Sequence, residues 1–88
     1  MFEHVRKRDG RIEEFREEKI VEAIFKAARA CGGQDRAQAE RQCKDVLGMA
    51  AELHGDGTLY VEDIQDLVER SLIKGGHART AKAFIVYP

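Results

Sequence analysis

Four of the seven side chains in Val5-Arg6-Lys7-Arg8-Asp9-Gly10-Arg11 are cationic. Cations gathered at a tight turn can surround a polyphosphate, with Arg supplying forked donors and Lys a compact charge. Lys19 follows about one turn into a helical pattern. The start of that helix adds unpaired N–H groups, which suit an anion. The residues also have a plainer reading, as charges that keep an edge hairpin soluble. Composition by itself favours the plainer reading, since exposed charge clusters are usually only solvated.

Other chemistry is harder to assemble. No Walker-type glycine loop is present, so a nucleotide would not be held in the P-loop manner. His4, His54 and His77 show no ligand spacing and read as surface or cap residues. Gly55-Asp56-Gly57 lacks the twelve-residue ligand pattern of a calcium loop. Cys31 and Cys43 have no neighbouring His and read as two small buried hydrophobes. Neither paired carboxylates nor a nucleophile–base–orienter set stands out. The expectation is therefore no catalytic residue and no metal ligand.

The elements that would position the cationic run follow from periodicity. Residues 2–15 read as a short hairpin. Asp9-Gly10 is a strong signal for a two-residue type I′ turn, and Phe2, Val5, Ile12 and Phe15 supply the apolar strand positions. Ile20, Ala23, Ile24, Ala27 and Cys31 mark one face of a first helix from Glu17, stopped by Gly32-Gly33. A second helix spans about Asp35 to His54, with Ala39, Cys43, Val46, Leu47, Ala50 and Leu53 as its buried stripe. Thr58 to Tyr60 reads as extended. A third helix carries Val61, Ile64, Leu67, Val68 and Leu72 inward and stops at Gly75-Gly76. A fourth runs from His77 to Tyr87, presenting Ala81, Phe84, Ile85 and Tyr87. The sum is an α+β fold: an N-terminal β-hairpin or small sheet capping a four-helix bundle.

Length and charge bound the rest. The 88 residues form a single domain, with nothing that divides the chain. The net charge of −1 disfavours a sequence-independent nucleic-acid coat, so nucleic acid is not expected as a partner of this domain alone. No apolar run is long enough for a membrane span. The N-terminus has no apolar signal region, which with the cysteine usage points to the cytoplasm. Residues 52–69 hold six acids and no Lys or Arg, while residues 70–82 hold four bases and no acid. Most of that asymmetry suits a solvated helix face aligned with its dipole.

The run Val5 to Phe15, followed by Lys19-Ile20 and Ala23-Ile24, closely resembles the signature of the ATP-cone domain. A second block is similar to the later half of that family: Val61-Glu62-Asp63-Ile64-Gln65-Asp66-Leu67-Val68-Glu69, then Ala81-Lys82-Ala83-Phe84-Ile85-Val86-Tyr87. The resemblance implies a regulatory module that binds ATP or dATP, with or without Mg2+, and does no chemistry itself. Its expected host is a ribonucleotide reductase, of which this chain would be a fragment, and nucleotide would alter self-association. The alternatives are the nucleotide-sensing part of a DNA-binding repressor, or a degenerate cone that serves only as a protein-interaction surface.

Residue by residue, the resemblance has Val5 and Arg6 present backbone to the adenine and Lys7 and Arg8 serve the phosphates and base edge. Glu13, Phe15, Arg16 and Lys19 would wrap the ribose and phosphates, with Lys19 as the phosphate lysine. Val61 and Gln65 would approach the nucleotide from the third helix. Two positions depart from the family. Arg16 stands where an acidic or small polar residue is common, and Pro88 where a basic residue commonly follows the final Tyr.

Overall fold

A computed structural model describes residues 2–55 and 58–84. Strands β1 (His4–Arg6) and β2 (Ile12–Glu14) form the hairpin. Helices α1 (Glu17–Ala30) and α2 (Arg36–His54) follow. The chain then returns through β3 (Leu59–Tyr60) to α3 (Val61–Lys74) and α4 (Ala78–Ala83). The sheet order is β2-β1-β3, with β1 antiparallel to β2 and parallel to β3. The α+β architecture read from periodicity is the observed one.

The hairpin closes differently from the two-residue turn that Asp9-Gly10 suggests. Gly10 N–H donates to Lys7 C=O at 3.0 Å, so Arg8 and Asp9 are the central residues of a β-turn. Gly10 then takes φ 90°, a left-handed value that a side chain rarely tolerates. Lys7 N–H donates to Arg11 C=O at 2.8 Å and leaves a three-residue loop, Arg8 to Gly10. Asp9 secures the loop: its carboxylate accepts from Arg11 N–H at 3.0 Å and from Arg11 Nε at 2.7 Å. The consequence is positional, because Arg8 stands at the tip rather than at a strand end.

Strand alternation sorts the sheet into two faces. Val5 and Leu59, which are register partners, are both fully buried and point into the bundle. Arg6 and Tyr60 pair on the outer face, where the Arg6 guanidinium lies 5.8 Å from the Tyr60 ring centroid. Ile12 is 53% exposed on that outer face, against the expectation that it packs inward; its partner is Arg6, and among the described residues no second layer covers the face.

The helices form a ring in which α1 and α3 each pack mainly against α2 and α4. Ile20, Ile24, Val46, Leu59, Ile64, Val68 and Leu72 fill its centre. Each such side chain contributes about 1.5–3 kcal/mol by leaving water. Acids open α1 and α3 and a base closes each, the order that the helix dipole favours. Asp35 caps α2 by accepting from Gln38 N–H. Gly32, at φ 92°, turns the chain out of α1, and Gly33 N–H donates to Ala28 C=O at 2.7 Å.

Three further expectations need correction. Leu53 is 64% exposed. It continues the α2 stripe by period, but α2 has 19 residues against 14 in α1 and α3, so its last turn finds less to pack on. Cys31 is only partly buried, because it follows the last helical residue of α1; Cys43 is fully buried. Helix α4 ends at Ala83, with Phe84 extended but buried. Ile85, Tyr87 and Pro88 lie outside the described residues, as does the Asp56-Gly57 part of the glycine turn.

Candidate functional site

Lys7, Glu13 and Lys19 come together where the hairpin meets the start of α1. Glu13 is the register partner of Val5 and so shares the inner face of the sheet. Its Oε1 lies 3.7 Å from Lys7 Nζ and its Oε2 lies 3.9 Å from Lys19 Nζ. Both separations hold an ion pair but exceed a hydrogen bond. Glu13 Oε2 is buried and has no hydrogen-bond partner. A buried acceptor left unmatched costs about 1–3 kcal/mol, so this corner lacks one donor.

Beside that group, Arg8 reaches across to α3. Its Nη2 donates to Gln65 Oε1 at 3.0 Å, and its Nε lies 3.4 Å from Glu62 Oε1. Glu62 and Gln65 are three positions apart and therefore share a helix face. Val61 begins α3 and is buried in the core with Val5, so both anchor the site's floor through packing. Phe15 packs against the core, its ring centroid 6.3 Å from that of Phe2.

Two of the expected site residues sit apart from this cluster. Arg6 lies on the outer sheet face over Tyr60. Arg16 is the N-cap residue of α1, and its guanidinium lies 3.8 Å from Glu14 rather than from Glu13. Glu14 neighbours Glu13 in β2 and so points to the opposite face. Arg16 gives α1 no side-chain cap. Lys19 N–H donates to Arg16 C=O at 3.1 Å, which leaves the N–H groups of Glu17 and Glu18 to face an external acceptor. The residue that sequence reasoning missed is Glu62. Its signal was the acid-rich segment 52–69, which lies on the chain just where a cationic hairpin has to dock.

A wide cleft lies elsewhere. It measures about 920 Å³ and runs between α2 and α3, with Gln38, Arg41, Gln42, Met49 and Lys74 among its walls. None of the expected site residues lines it. A smaller pocket of about 250 Å³ lies at one end of the helix ring, where the loop between α1 and α2 meets the start of α4, and is lined by Ile24, Cys31, Gln38, Gln42 and His77 among others. Among the described residues no group of three or more His, Cys, Asp or Glu side chains gathers as a metal site.

Two carboxyl or thiol groups are perturbed. The backbone N–H of Arg11 holds the exposed Asp9 carboxyl below its usual value, with the Arg11 side chain adding to the effect. Burial pushes the Cys43 thiol up to about 12, and the nearby Glu17 and Glu18 push in the same direction. Cys43 is thus a protonated core residue, unfit as a nucleophile at neutral pH.

The sequence profile of the ATP cone domain matches residues 3–88. The anaerobic ribonucleoside-triphosphate reductase of Escherichia coli (strain K12) is 35% identical over 88 residues, covering 99% of this chain and 12% of that protein. The Salmonella typhimurium protein of the same name is 33% identical over 87 residues, again 99% of this chain and 12% of that protein. The ribonucleoside-diphosphate reductase subunit alpha of Chlamydia pneumoniae is 33% identical over 88 residues, 92% of this chain and 8% of that protein. The chain thus spans about an eighth or less of these relatives. A profile that runs from residue 3 through the hairpin, the ring of helices and the terminal block leaves one assignment: this chain belongs to the ATP cone domain family.

Proposed function

We propose that this chain binds an adenine nucleoside triphosphate, ATP or dATP, between its hairpin and the starts of α1 and α3, and acts as the allosteric control module of a ribonucleotide reductase. The observation that carries this reading is Glu13. Two lysines flank its carboxylate without hydrogen-bonding it, and one oxygen is buried without a donor. A ribose hydroxyl would supply the missing donor, while the phosphates would draw Lys7 and Lys19 outward. The uncapped start of α1 would supply N–H groups to the same anion.

Mg2+ would arrive as the triphosphate's counter-ion. The domain itself does no chemistry in this reading. It converts binding into a packing change: β1 and β3 are paired, and β3 leads directly into α3. A ligand that straddles hairpin and α3 therefore favours one relative placement of the two, and an equilibrium shifts only by such differential affinity. The remainder of the host enzyme, or a second copy of the module, would read that placement in the cytoplasm.

Titration calorimetry with ATP, dATP, GTP and ADP, with sedimentation of the same samples, tests the proposal. The expected result is selective binding of ATP or dATP with a change in association state. No binding, or equal binding of GTP, would overturn it.

A further inference from the structure

The guanidinium of Arg8 ties the hairpin tip to α3, and among the described residues no backbone hydrogen bond outside the regular elements does so. Its two partners differ in kind. Gln65 is neutral and accepts a hydrogen bond at 3.0 Å, while Glu62 is charged and stands 3.4 Å away. The Arg8 and Glu62 side chains are 67% and 55% exposed, so water and salt weaken their attraction. An ion pair this exposed can be exchanged for another anion at small cost.

We infer that Glu62 sets the affinity of the nucleotide site by competing with phosphate for Arg8. The inference rests on the reading of the hairpin as the nucleotide site. Carboxylate and phosphate oxygens use the same N–H donors of a guanidinium, so the nucleotide gains Arg8 only as Glu62 gives it up. Gln65 carries no charge and keeps the guanidinium oriented through the exchange. Glu62 also repels the ligand directly, and that repulsion grows with the number of phosphates. It therefore penalises a triphosphate more than a diphosphate and leaves a nucleoside untouched. Loss of the Arg8–Glu62 pair on binding loosens the hairpin from the first turn of α3, which is where a signal to the bundle would begin.

The test compares Glu62→Gln with Asp63→Asn, a substitution in the same helical turn with the same charge change. Both are titrated with ATP, ADP and adenosine at low and high KCl. Glu62→Gln is expected to tighten ATP about three- to fivefold, ADP less, and adenosine not at all, with the gain shrinking in high salt. Asp63→Asn is expected to change ATP affinity less than twofold. An unchanged or weaker ATP affinity in Glu62→Gln, or an equal gain in Asp63→Asn, would overturn the inference. Wild-type chain that binds ATP while Glu62→Gln shows no gain defeats this inference alone. Wild-type chain that binds no nucleotide defeats the proposed function, and this inference with it.

Discussion

Helix α3 meets its neighbours by opposite means at its two ends. At the N-terminal end, Glu62 and Gln65 meet Arg8 through a half-exposed, charged contact with a 3.4 Å ion pair. Towards the C-terminal end, Ser71 Oγ donates to Gln42 Oε1 at 2.8 Å, and both residues are 8% exposed. Nearby, the Gln38 amide meets the His77 ring across from α2 to the start of α4. The neutral end is nearly buried and closely bonded, so losing either partner strands a buried group. The charged end is wet and loosely bonded, so its partners can be replaced. One end ties α2 to α3 through a buried bond; the other, in the proposed reading, trades a carboxylate for a phosphate.

The comparison breaks most visibly if binding and stability fail to separate. Replacing Lys7 and Lys19 together by Ala is expected to weaken ATP binding by about 100-fold to 10,000-fold, since each charge-assisted contact carries about 1.5–3 kcal/mol. Circular dichroism should show unchanged helix content. Gln42→Ala should do the reverse. The unpaired Ser71 hydroxyl and the lost packing are expected to cost about 1–3 kcal/mol in urea unfolding, with ATP affinity of the folded chain within twofold of wild type. Equal binding loss in both variants would erase the distinction.

Cysteine chemistry sharpens the picture of the interior. Cys31 is partly exposed and should alkylate at pH 8 at least about tenfold faster than the buried Cys43. The Cys43 thiol is raised from 9.0 to about 12, so the stability it lends is whole below 9.0 and is lost as pH rises towards 12. Cys43→Ala should be less stable at neutral pH but flatter across that alkaline window, so that the gap narrows as pH rises, as read by urea midpoints. The smallest effect belongs to the hairpin. Asp9 is lowered from 3.8, so its contribution holds above 3.8 and fades as pH falls through its depressed value. Protection of the Gly10 and Arg11 amides, taken against their intrinsic exchange at the same pH, should fall there, and Asp9→Asn should remove that pH dependence.

Much of the fold was legible because the apolar periods are clean. Ile20, Ile24 and Ala27 in α1, and Val61, Ile64, Val68 and Leu72 in α3, repeat at helical spacing and are all buried. Leu53 and Ile12 misled for a different reason: period says which face a residue shares, not whether anything covers that face. The hairpin turn was found, but its register shifted by one residue, because a type I′ turn and a turn followed by left-handed glycine both favour Asp-Gly. At the site, charge marked Lys7, Arg8 and Lys19 and the family resemblance added Glu13 and Gln65; the structure sets Glu13 between Lys7 and Lys19 and bonds Arg8 to Gln65. Neither pointed to Glu62, because its role depends on which helix turn the hairpin tip happens to face. Such a long-range pairing, 54 positions apart in the chain, leaves no local pattern.

The most direct test is an amide NMR titration of the chain with ATP. The account predicts that the shifts concentrate in Val5 to Arg11, at Glu13 to Lys19 and at Val61 to Gln65, while Gln42, Ser71 and Gly75 along the α2–α3 cleft stay put. Shifts centred on that cleft, with the hairpin unmoved, would place the ligand at the wrong end of α3 and contradict the account.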